Sequence, residues 1–268
     1  MKKVILITGS TDGIGKLAAL KLAREGHTMY LHGRNADKLE RVIEELKSDT
    51  NNQNINGFVA DFSDLHAVRK MSEEIKMELS SIDVLVNNAG IFKVNNNITD
   101  DGLDVRMAVN YLAPYILTNA LLPLLRQSDN PRIINLSSAA QSSVSTEFLK
   151  GNKQLPDQAA YAQSKLAILM WSFHLAEQEP DITAIPLNPG SLLNTNMVRE
   201  AYGKFWSSAD KGADIIVDLS ISQQHDNMSG KYFDNDKGGY GKTHPDAYDK
   251  GIISGLIEVT EDMVGSNK

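Results

Sequence analysis

Apolar residues along this chain alternate between short continuous runs and longer stretches with helical spacing. The run Lys3–Thr8 is rich in β-branched residues, which is typical of a strand buried on both faces of a sheet. The stretch Gly13–Glu25 has apolar residues at helical intervals and is followed by Gly26, so it is predicted to be a helix. Because strands separated by helix-length segments need crossover connections, the pattern indicates a parallel sheet with right-handed crossovers.

The same alternation continues along the chain without a linker or a repeat. We therefore predict one domain, residues 1–268, with an α/β fold in which helices flank both faces of a doubly wound, Rossmann-type parallel sheet. Pro114 and Pro123 are expected to kink or end the longest helix. The further predicted strands are Thr28–His32, Gly57–Ala60 (the end of a strand), Ile82–Asn87, Arg132–Ser137, Ile182–Leu187 and Gly230–Asp234, the last at the edge of the sheet. The further predicted helices are Ala36–Lys47, Asp64–Leu79, Asp101–Leu125, Ala159–Glu177, Ala209–Ile221 and Pro245–Val264.

Composition excludes several classes of protein. Of the 268 residues, 41% are hydrophobic, which argues against a disordered chain, and the formal net charge of −7 argues against a general nucleic-acid binder. The chain has no cysteine, which excludes a disulfide scaffold, a cysteine metal cluster and a thiol nucleophile. The first apolar run is too short for a signal peptide, and no stretch approaches the roughly 18 uninterrupted apolar residues of a membrane span. We therefore expect a cytoplasmic protein that binds neither nucleic acid nor membrane, and we predict no metal site.

The junction between the first predicted strand and the first predicted helix carries three glycines. A dinucleotide pyrophosphate needs close approach to backbone N–H groups, which glycine allows because it has no Cβ, and a helix N-terminus favours negative charge. The alternative is an ordinary turn of an α/β protein, but this spacing should occur by chance in fewer than about one in a hundred such chains. Asp12 is interpreted as a cap or turn residue, because its charge opposes phosphate binding. The turn reads Thr8-Gly9-Ser10-Thr11-Asp12-Gly13-Ile14-Gly15.

The end of the second predicted strand bears on which dinucleotide is bound. NAD-binding folds usually place a carboxylate there to accept from the adenosine ribose, whereas this chain has His32-Gly33-Arg34-Asn35. Arg34 is placed to pair with a 2′-phosphate, which only NADP(H) carries, so NADP(H) is predicted over NAD(H). The alternative for Arg34 is a solvated arginine at a helix start. His32 is expected to add at most a weaker contact.

A tyrosine and a lysine are spaced so that they can exchange a proton with a substrate. Tyr161 and Lys165 lie four positions apart in a predicted helix and therefore share a face. A lysine charge close to a phenol favours the phenolate and lowers the pKa of the tyrosine toward neutrality, where proton transfer is efficient. The alternative is a surface pair on a helix, and the spacing alone does not exclude it.

Small polar residues follow the fourth, fifth and sixth predicted strands, at the end of the sheet where α/β proteins bind ligands. Asn87-Asn88-Ala89-Gly90 follows the fourth strand, Ser137-Ser138 the fifth and Asn188-Pro189-Gly190 the sixth. Ser138 is placed to bond a substrate carbonyl, although a serine there can also be a helix cap or a turn residue. Asn110 disfavours the predicted helix around it and marks a kink, or else it is an exposed surface residue.

Taken in order, these motifs resemble those of the short-chain dehydrogenase/reductase family over nearly the whole chain. The motif YAQSKLA and the tail GKYFDNDKG…HPDAYD are similar to retinol-dehydrogenase-like and WW-domain-oxidoreductase-like members. The resemblance implies a seven-stranded sheet and a catalytic tetrad. Tyr161 would handle the substrate proton, Ser138 would orient the carbonyl, Lys165 would hold the nicotinamide ribose, and Asn110 would position a water.

The resemblance also implies a set of cofactor contacts. Asp61 matches the contact to the adenine amine, and Asn88 matches the residue beside the adenine ribose. Thr195 stands one position later than the corresponding threonine of relatives, so its contact is left open. The expected cofactor-binding residues are Gly9, Ser10, Thr11, Asp12, Gly13, Ile14, Gly15, Arg34, Asn35, Asp61, Phe62, Asn88, Ala89, Gly90, Tyr161, Lys165, Pro189, Gly190 and Leu192.

The sequence thus predicts an NADP(H)-dependent oxidoreductase that transfers a hydride between the cofactor and a carbonyl/alcohol substrate. The alternative is a catalytically idle NADP(H) sensor or interaction protein on the same fold. Residues 139–160 and 191–207 are predicted substrate-side loops, the second a candidate lid, and the substrate and the oligomeric state (monomer or homo-oligomer) stay open. The candidate pocket residues, whose character suits a lipophilic carbonyl compound, are Phe92, Phe148, Leu149, Leu192, Leu193, Met197, Tyr202, Phe205 and Trp206.

Overall fold

One twisted sheet of eight strands forms the centre of the computed structural model, which describes residues 2–265 except for the side chain of Tyr202. The strands are β1 (Val4–Ile7), β2 (Thr28–Gly33), β3 (Ile55–Val59), β4 (Val84–Asn87), β5 (Arg132–Leu136), β6 (Thr183–Asn188), β7 (Phe233–Asp234) and β8 (Gly239–Tyr240). Their spatial order is β3-β2-β1-β4-β5-β6-β7-β8, and all neighbours are parallel except β7 and β8. The order reverses between β1 and β4, as in a doubly wound fold.

Helices cover both faces of this sheet, as the sequence predicts. One apolar core lies between the sheet and α1, α2 and α9, and the other between the sheet and α3, α5, α7 and α10. The helices are α1 (Gly13–Arg24), α2 (Ala36–Thr50), α3 (Leu65–Glu78), α4 (Val105–Met107), α5 (Ala113–Leu125), α6 (Thr146–Leu149), α7 (Asp157–Gln178), α8 (Asn196–Tyr202), α9 (Ala209–Ile221) and α10 (Lys250–Gly265). The α/β Rossmann-type prediction is therefore confirmed.

The edge of the sheet differs from the prediction. The strand predicted at Gly230–Asp234 is shorter, and it is not the edge, because β8 pairs with it in antiparallel orientation. Gly238, with φ of +71°, lies in the tight connection between the two strands. Two-residue strands carry too few apolar positions to be recognised from a pattern, so the sheet has eight strands where seven were expected.

The longest apolar helix is irregular at the site of Asn110. A π-helical turn, Ala108–Leu112, joins α4 to α5, and Pro114 is the second residue of α5. Proline has no N–H to donate to a helix, and here it comes just after the turn in which the regular pattern of helical bonds is already interrupted. Pro123 lies inside α5, which ends two residues later at Leu125. The stretch Val105–Leu125 is long and apolar enough to cross a membrane, but 78% of its most apolar window is buried inside the domain, as in a core helix.

Two predicted loops contain short helices. In the segment 139–160, α6 buries Phe148 and Leu149 in the apolar core, and in the segment 191–207 the chain forms α8. The predicted helix Pro245–Val264 begins with a separate 3₁₀ turn, Pro245–Tyr248, before α10. Helices of one or two turns show little periodicity, which is why the pattern missed them.

Candidate active site

A cavity of about 1220 Å³ opens along the carboxyl ends of the parallel strands. It runs from Arg34 after β2, past the glycine turn after β1 and the end of β4, to Pro189 and Gly190 after β6. The sequence motifs, which are up to 180 positions apart, therefore meet in one cleft. The predicted residues that line it are Gly9, Thr11, Asp12, Gly13, Ile14, Gly15, Arg34, Asp61, Phe62, Asn88, Ala89, Gly90, Tyr161, Lys165, Pro189, Gly190 and, of those left open, Thr195.

The glycine turn packs so closely on the end of β4 that Gly9 and Gly15 have no room for a side chain. A Cβ on Gly9, whose φ is +63°, would lie 2.7 Å from the Cα of Ala89. A Cβ on Gly15 would lie 2.3 Å from Nδ2 of Asn88, which donates to the carbonyls of Thr8 and Gly9. Gly9, Gly13 and Gly15 line the cavity at the start of α1, where a helix N-terminus favours a pyrophosphate.

His32 holds the glycine turn by hydrogen bonds, a role that the sequence did not predict. Its Nδ1 accepts from the Gly9 N–H at 3.0 Å, and its Nε2 donates to the carbonyl of Ala60 at 3.0 Å. The ring is buried and stacks on Phe62 with 4.2 Å between ring centroids. Burial lowers the pKa of His32 to about 4, so the ring is neutral at physiological pH and holds the glycine turn to the end of β3.

Five predicted site residues do not lie on the cavity wall as the structure describes it, namely Ser10, Asn35, Leu192, Ser138 and the buried Asn110. The hydroxyl of Ser10 is buried and donates to the carbonyl of Ile7, whereas Asn35 caps α2 by accepting from the Lys38 N–H. Leu192 has a left-handed backbone with φ of +48°, and its neighbour Leu193 lines the cavity instead. Ser138 follows the lining residue Ser137, and its Oγ accepts from the Ala140 N–H at 3.1 Å.

Asp12 is the helix cap that the sequence predicts. Its Oδ1 accepts from the Gly13 N–H at 2.8 Å, at the first residue of α1. Its Oδ2 accepts from Lys38 at 3.0 Å and from Asn196 at 2.9 Å. Asp12 therefore joins the glycine turn to α2 and to the first residue of α8.

Asn110 is buried in the π-helical turn and bonds to two other parts of the site. Its Oδ1 accepts from the Ile91 N–H at 2.8 Å, and its Nδ2 donates to the Ile91 carbonyl at 3.0 Å and to Ser164 Oγ at 2.9 Å. The predicted irregularity at this residue is confirmed. The amide thus fixes the chain after β4 relative to α7.

Tyr161 and Lys165 share a face of α7, as their spacing predicts. The Lys165 ammonium lies 5.7 Å from the centre of the Tyr161 ring and donates to the carbonyl of Leu136 at 2.8 Å. The ring of Phe92 meets Tyr161 edge-on, with 4.9 Å between centroids. Burial lowers the pKa of Lys165 to about 8, so the ammonium is charged beside the phenol only below that pH.

The loop after β5 is held by residues that the sequence analysis missed. Gln141 Nε2 donates to the carbonyl of Ser138 at 2.7 Å, and its Oε1 accepts from Thr243 Oγ1 at 2.6 Å. The hydroxyl of Tyr232 donates to the same Ser138 carbonyl at 3.4 Å. These bonds link the serine to a segment more than 90 residues later, and local sequence carries no signal for such pairings.

The predicted substrate-side residues divide into three groups. Leu193 and Met197 line the cavity, and Phe92 stands against Tyr161. The assignment of Phe148 and Leu149 to the pocket is wrong, because both are buried in the core. Two residues are exposed rather than lining the cavity, and the side chain of Tyr202 lies outside the described residues. The exposed residues are Phe205 (48%) and Trp206 (73%).

Comparison with protein families and known proteins agrees with this geometry. A family model described as short chain dehydrogenase matches residues 3–204. Human retinol dehydrogenase 13 is 32% identical over 283 residues, which cover 98% of this chain and 85% of that protein. Human polyprenol dehydrogenase is 30% identical over 259 residues, with coverage of 88% and 77%.

Solved structures also resemble this chain. A short chain dehydrogenase from Escherichia coli, crystallised with NADPH, superimposes with a TM-score of 0.72. It is 27% identical, and the match covers 87% of this chain and 96% of that one. Both the sequence and the fold comparisons therefore extend over most of the molecule.

Proposed function

Because this chain belongs to the short-chain dehydrogenase family, we propose that it is an NADP(H)-dependent oxidoreductase acting on the carbonyl/alcohol pair of a small lipophilic molecule. The observation that carries the proposal is a single cavity in which the glycine turn, Arg34 and the Tyr161–Lys165 pair all take part. When bound, NADPH would supply the hydride. The residues of this chain would bind the cofactor and would orient and protonate the substrate.

The residues present fit a dinucleotide. Gly9, Gly13 and Gly15 line the cavity at the N-terminus of α1, and the packing of Gly9 on Ala89 and of Gly15 on Asn88 leaves no room for a Cβ at either position. The cavity is long enough to join this cradle to Lys165, the residue that would hold the nicotinamide ribose. Asp61 and Phe62, at the opposite end beyond β3, would hold the adenine.

The proton step would belong to Tyr161. In the direction of reduction, its hydroxyl would donate a proton to the carbonyl oxygen, and Ser138, which follows the lining residue Ser137, would bond the same oxygen and fix its position. The Lys165 ammonium, 5.7 Å from the ring centre, stabilises the phenolate that this step leaves. Asn110, which bonds Ile91 and Ser164, would hold the water through which the tyrosine is reprotonated.

The preference for NADP(H) would rest on Arg34. The residue lies on the cavity wall directly after β2, at the place where a carboxylate would accept from the ribose of NAD. The nearby Lys38 is bonded to Asp12 at 3.0 Å, which leaves Arg34 as the cation best placed for a 2′-phosphate. The Escherichia coli structure that resembles this chain was crystallised with NADPH, which supports the same choice.

A lipophilic substrate is supported by the walls around Tyr161. Apolar side chains from Ile91, Val94, Leu193 and Met197 line the cavity that Tyr161 also lines, and the Phe92 ring meets the Tyr161 ring edge-on. Two of the relatives are named for retinol and polyprenol, both long apolar alcohols. Apolar walls with a few polar groups are typical of a site that binds such molecules.

A panel assay tests this function. The purified protein is mixed with NADPH and with aliphatic, aromatic and long-chain aldehydes and ketones, and NADPH absorbance is followed; the alcohols are tested with NADP⁺ in reverse. Consumption of NADPH with at least one lipophilic carbonyl is the expected result. Tight NADPH binding without turnover of any compound would favour the sensor instead.

A further inference from the structure

Three consecutive residues at the end of β7 bond to the turn that follows β6. Asn188 Nδ2 donates to Asp234 Oδ1 and to Asp236 Oδ2, both at 2.9 Å. Asn235 lies between these two acids, and its Nδ2 donates to the carbonyl of Pro189 at 2.9 Å. We call residues 234–236 the tail clamp, since they belong to the tail motif GKYFDNDKG, to which the catalytic groups do not belong.

Asp236 makes the outermost contacts of the clamp. Its Oδ1 accepts from the Ser191 N–H at 2.9 Å, and its Oδ2 accepts from the Ser191 hydroxyl at 2.6 Å. Burial alone would raise the pKa of Asp236, but the bonds from Ser191 and Asn188 outweigh it and hold the pKa below its usual range. The side chain is therefore a carboxylate at neutral pH, and it fixes both polar groups of Ser191.

The residue after Ser191 explains why the turn needs to be held. Leu192 has a φ of +48°, which is unfavourable for a residue with a Cβ and persists only where the surroundings fix it. On one side the Ser191 backbone is bonded to Asp236, and on the other the Leu192 carbonyl accepts from the Trp206 N–H at 2.9 Å. Because Leu192 is held in this conformation, the side chain of Leu193 points inward and lines the cavity.

The position of this turn in the sheet shows which part of the cofactor it would meet. In the strand order, β6 lies beyond β5 and on the side opposite β2, where Arg34 stands. A dinucleotide whose 2′-phosphate meets Arg34 and whose pyrophosphate meets the glycine turn must extend its other end toward β5 and β6. The nicotinamide side of the cavity is therefore bounded by the turn 189–193, of which Pro189, Gly190 and Leu193 line the wall.

We propose that Asp236 is a positioning residue, which holds the turn 189–193 against the nicotinamide side of the cofactor and so sets the geometry of hydride transfer. The proposal rests on the function proposed above, because it assumes that the cavity takes a nicotinamide dinucleotide. Small displacements of reacting groups cost large factors in rate, so a loosened turn should slow the chemical step more than it weakens binding.

The test compares Asp236→Ala and Asp236→Asn with the unchanged chain. Asp214→Ala is the matched control, since it removes an ion-paired surface carboxylate on α9 whose side chain is 64% exposed. Two binding measurements need no substrate: the fluorescence lifetime of bound NADPH, which reports nicotinamide mobility, and the affinity for 2′-phospho-ADP-ribose, which is NADP⁺ without its nicotinamide. The rate of hydride transfer is measured in single turnovers with the best carbonyl from the panel.

With Asp236→Ala, we expect single-turnover hydride transfer to fall by about tenfold or more, and the lifetime of bound NADPH to shorten toward that of free NADPH. The affinity for 2′-phospho-ADP-ribose should change less than about twofold, because that fragment ends before the clamped turn. Asp236→Asn keeps an acceptor for Ser191 and should recover part of both losses.

Equal losses for the fragment and for NADPH would overturn the proposal, because they would show a general loosening of the fold. An unchanged lifetime and rate in Asp236→Ala would overturn it as well. If the unchanged protein binds NADPH but turns over no carbonyl, the proposed enzymatic function fails separately, and the lifetime and fragment measurements still decide the role of Asp236.

Discussion

The ammonium group of Lys165 lies 5.7 Å from the centre of the Tyr161 ring, and its own hydrogen bond goes to the Leu136 carbonyl at 2.8 Å. This bond fixes the lysine to β5, so the ammonium group has an anchor that does not depend on the protonation state of the phenol. This arrangement favours a phenol that gives and regains a proton in each cycle.

Replacing the phenol tests that role directly. Tyr161→Phe removes the proton donor, and turnover with NADPH should fall by about 100- to 10,000-fold, the usual contribution of a general acid. NADPH binding, measured by fluorescence titration, should be nearly unchanged. The control is Tyr115→Phe, which deletes a hydroxyl from a core tyrosine that packs on Trp171. Turnover that survives in Tyr161→Phe would contradict the assignment.

We expect the buried charge of Lys165 to lower the free energy of unfolding, although the same residue serves the proposed reaction. Its pKa falls from 10.5 in the unfolded chain to about 8 in the fold, so the unfolded state binds more protons between these values and stability rises with pH across that window. Lys165→Met should abolish turnover, raise the free energy of unfolding near neutral pH by on the order of 1–3 kcal/mol, and remove this rise.

Urea denaturation at about pH 7 and about pH 9.5 measures both effects. Lys70→Met is the control, because the Lys70 side chain is 74% exposed. A Lys165→Met variant that is less stable than the unchanged protein at neutral pH would contradict the assigned cost of burying this charge.

Arg34 should discriminate between the two nicotinamide cofactors. Arg34→Ala removes a charge-assisted contact to the 2′-phosphate, so the Kd for NADPH should rise by about 10- to 100-fold while the Kd for NADH changes little. Arg41→Ala, which removes an exposed arginine from α2, is the control. Equal losses for both cofactors, measured by calorimetry, would show that Arg34 does not read the phosphate.

His32 should make the glycine turn sensitive to acid. Its pKa is about 4 in the fold and 6.5 when unperturbed, so the unfolded state binds more protons between these values and stability falls as pH drops from 6.5 to 4. The loss attributable to His32 is about 3 kcal/mol across this window. His32→Gln should remove it, and His66→Gln, on the exposed surface of α3, should not. Denaturation midpoints of the unchanged protein and of both variants, measured at several pH values between about 4 and 6.5, test this expectation.

Local chemistry explains which parts of this molecule the sequence could predict. The order of strands and helices follows from apolar periodicity, and Gly9, Gly15, Tyr161 and Lys165 stand in short motifs whose geometry a single turn or helix determines. The π-helical turn was foreseen only as an irregularity at Asn110.

The missed features depend on contacts between distant segments. His32 looks like one more residue of a buried strand until the fold brings Gly9 and Ala60 to its two nitrogens. Gln141 and Asp236 are likewise ordinary polar residues whose partners lie about 100 and 45 positions away. The errors at Phe148 and Leu149 have the same origin, since only the fold shows that α6 turns them into the core.

The bond from Tyr232 to the carbonyl of Ser138 joins residues 94 positions apart. During synthesis the serine loop therefore gains this support only after residue 232 has been added to the chain. Nascent chains that already carry the glycine turn, the tyrosine and the lysine are expected to have an unsupported serine loop until that residue is translated.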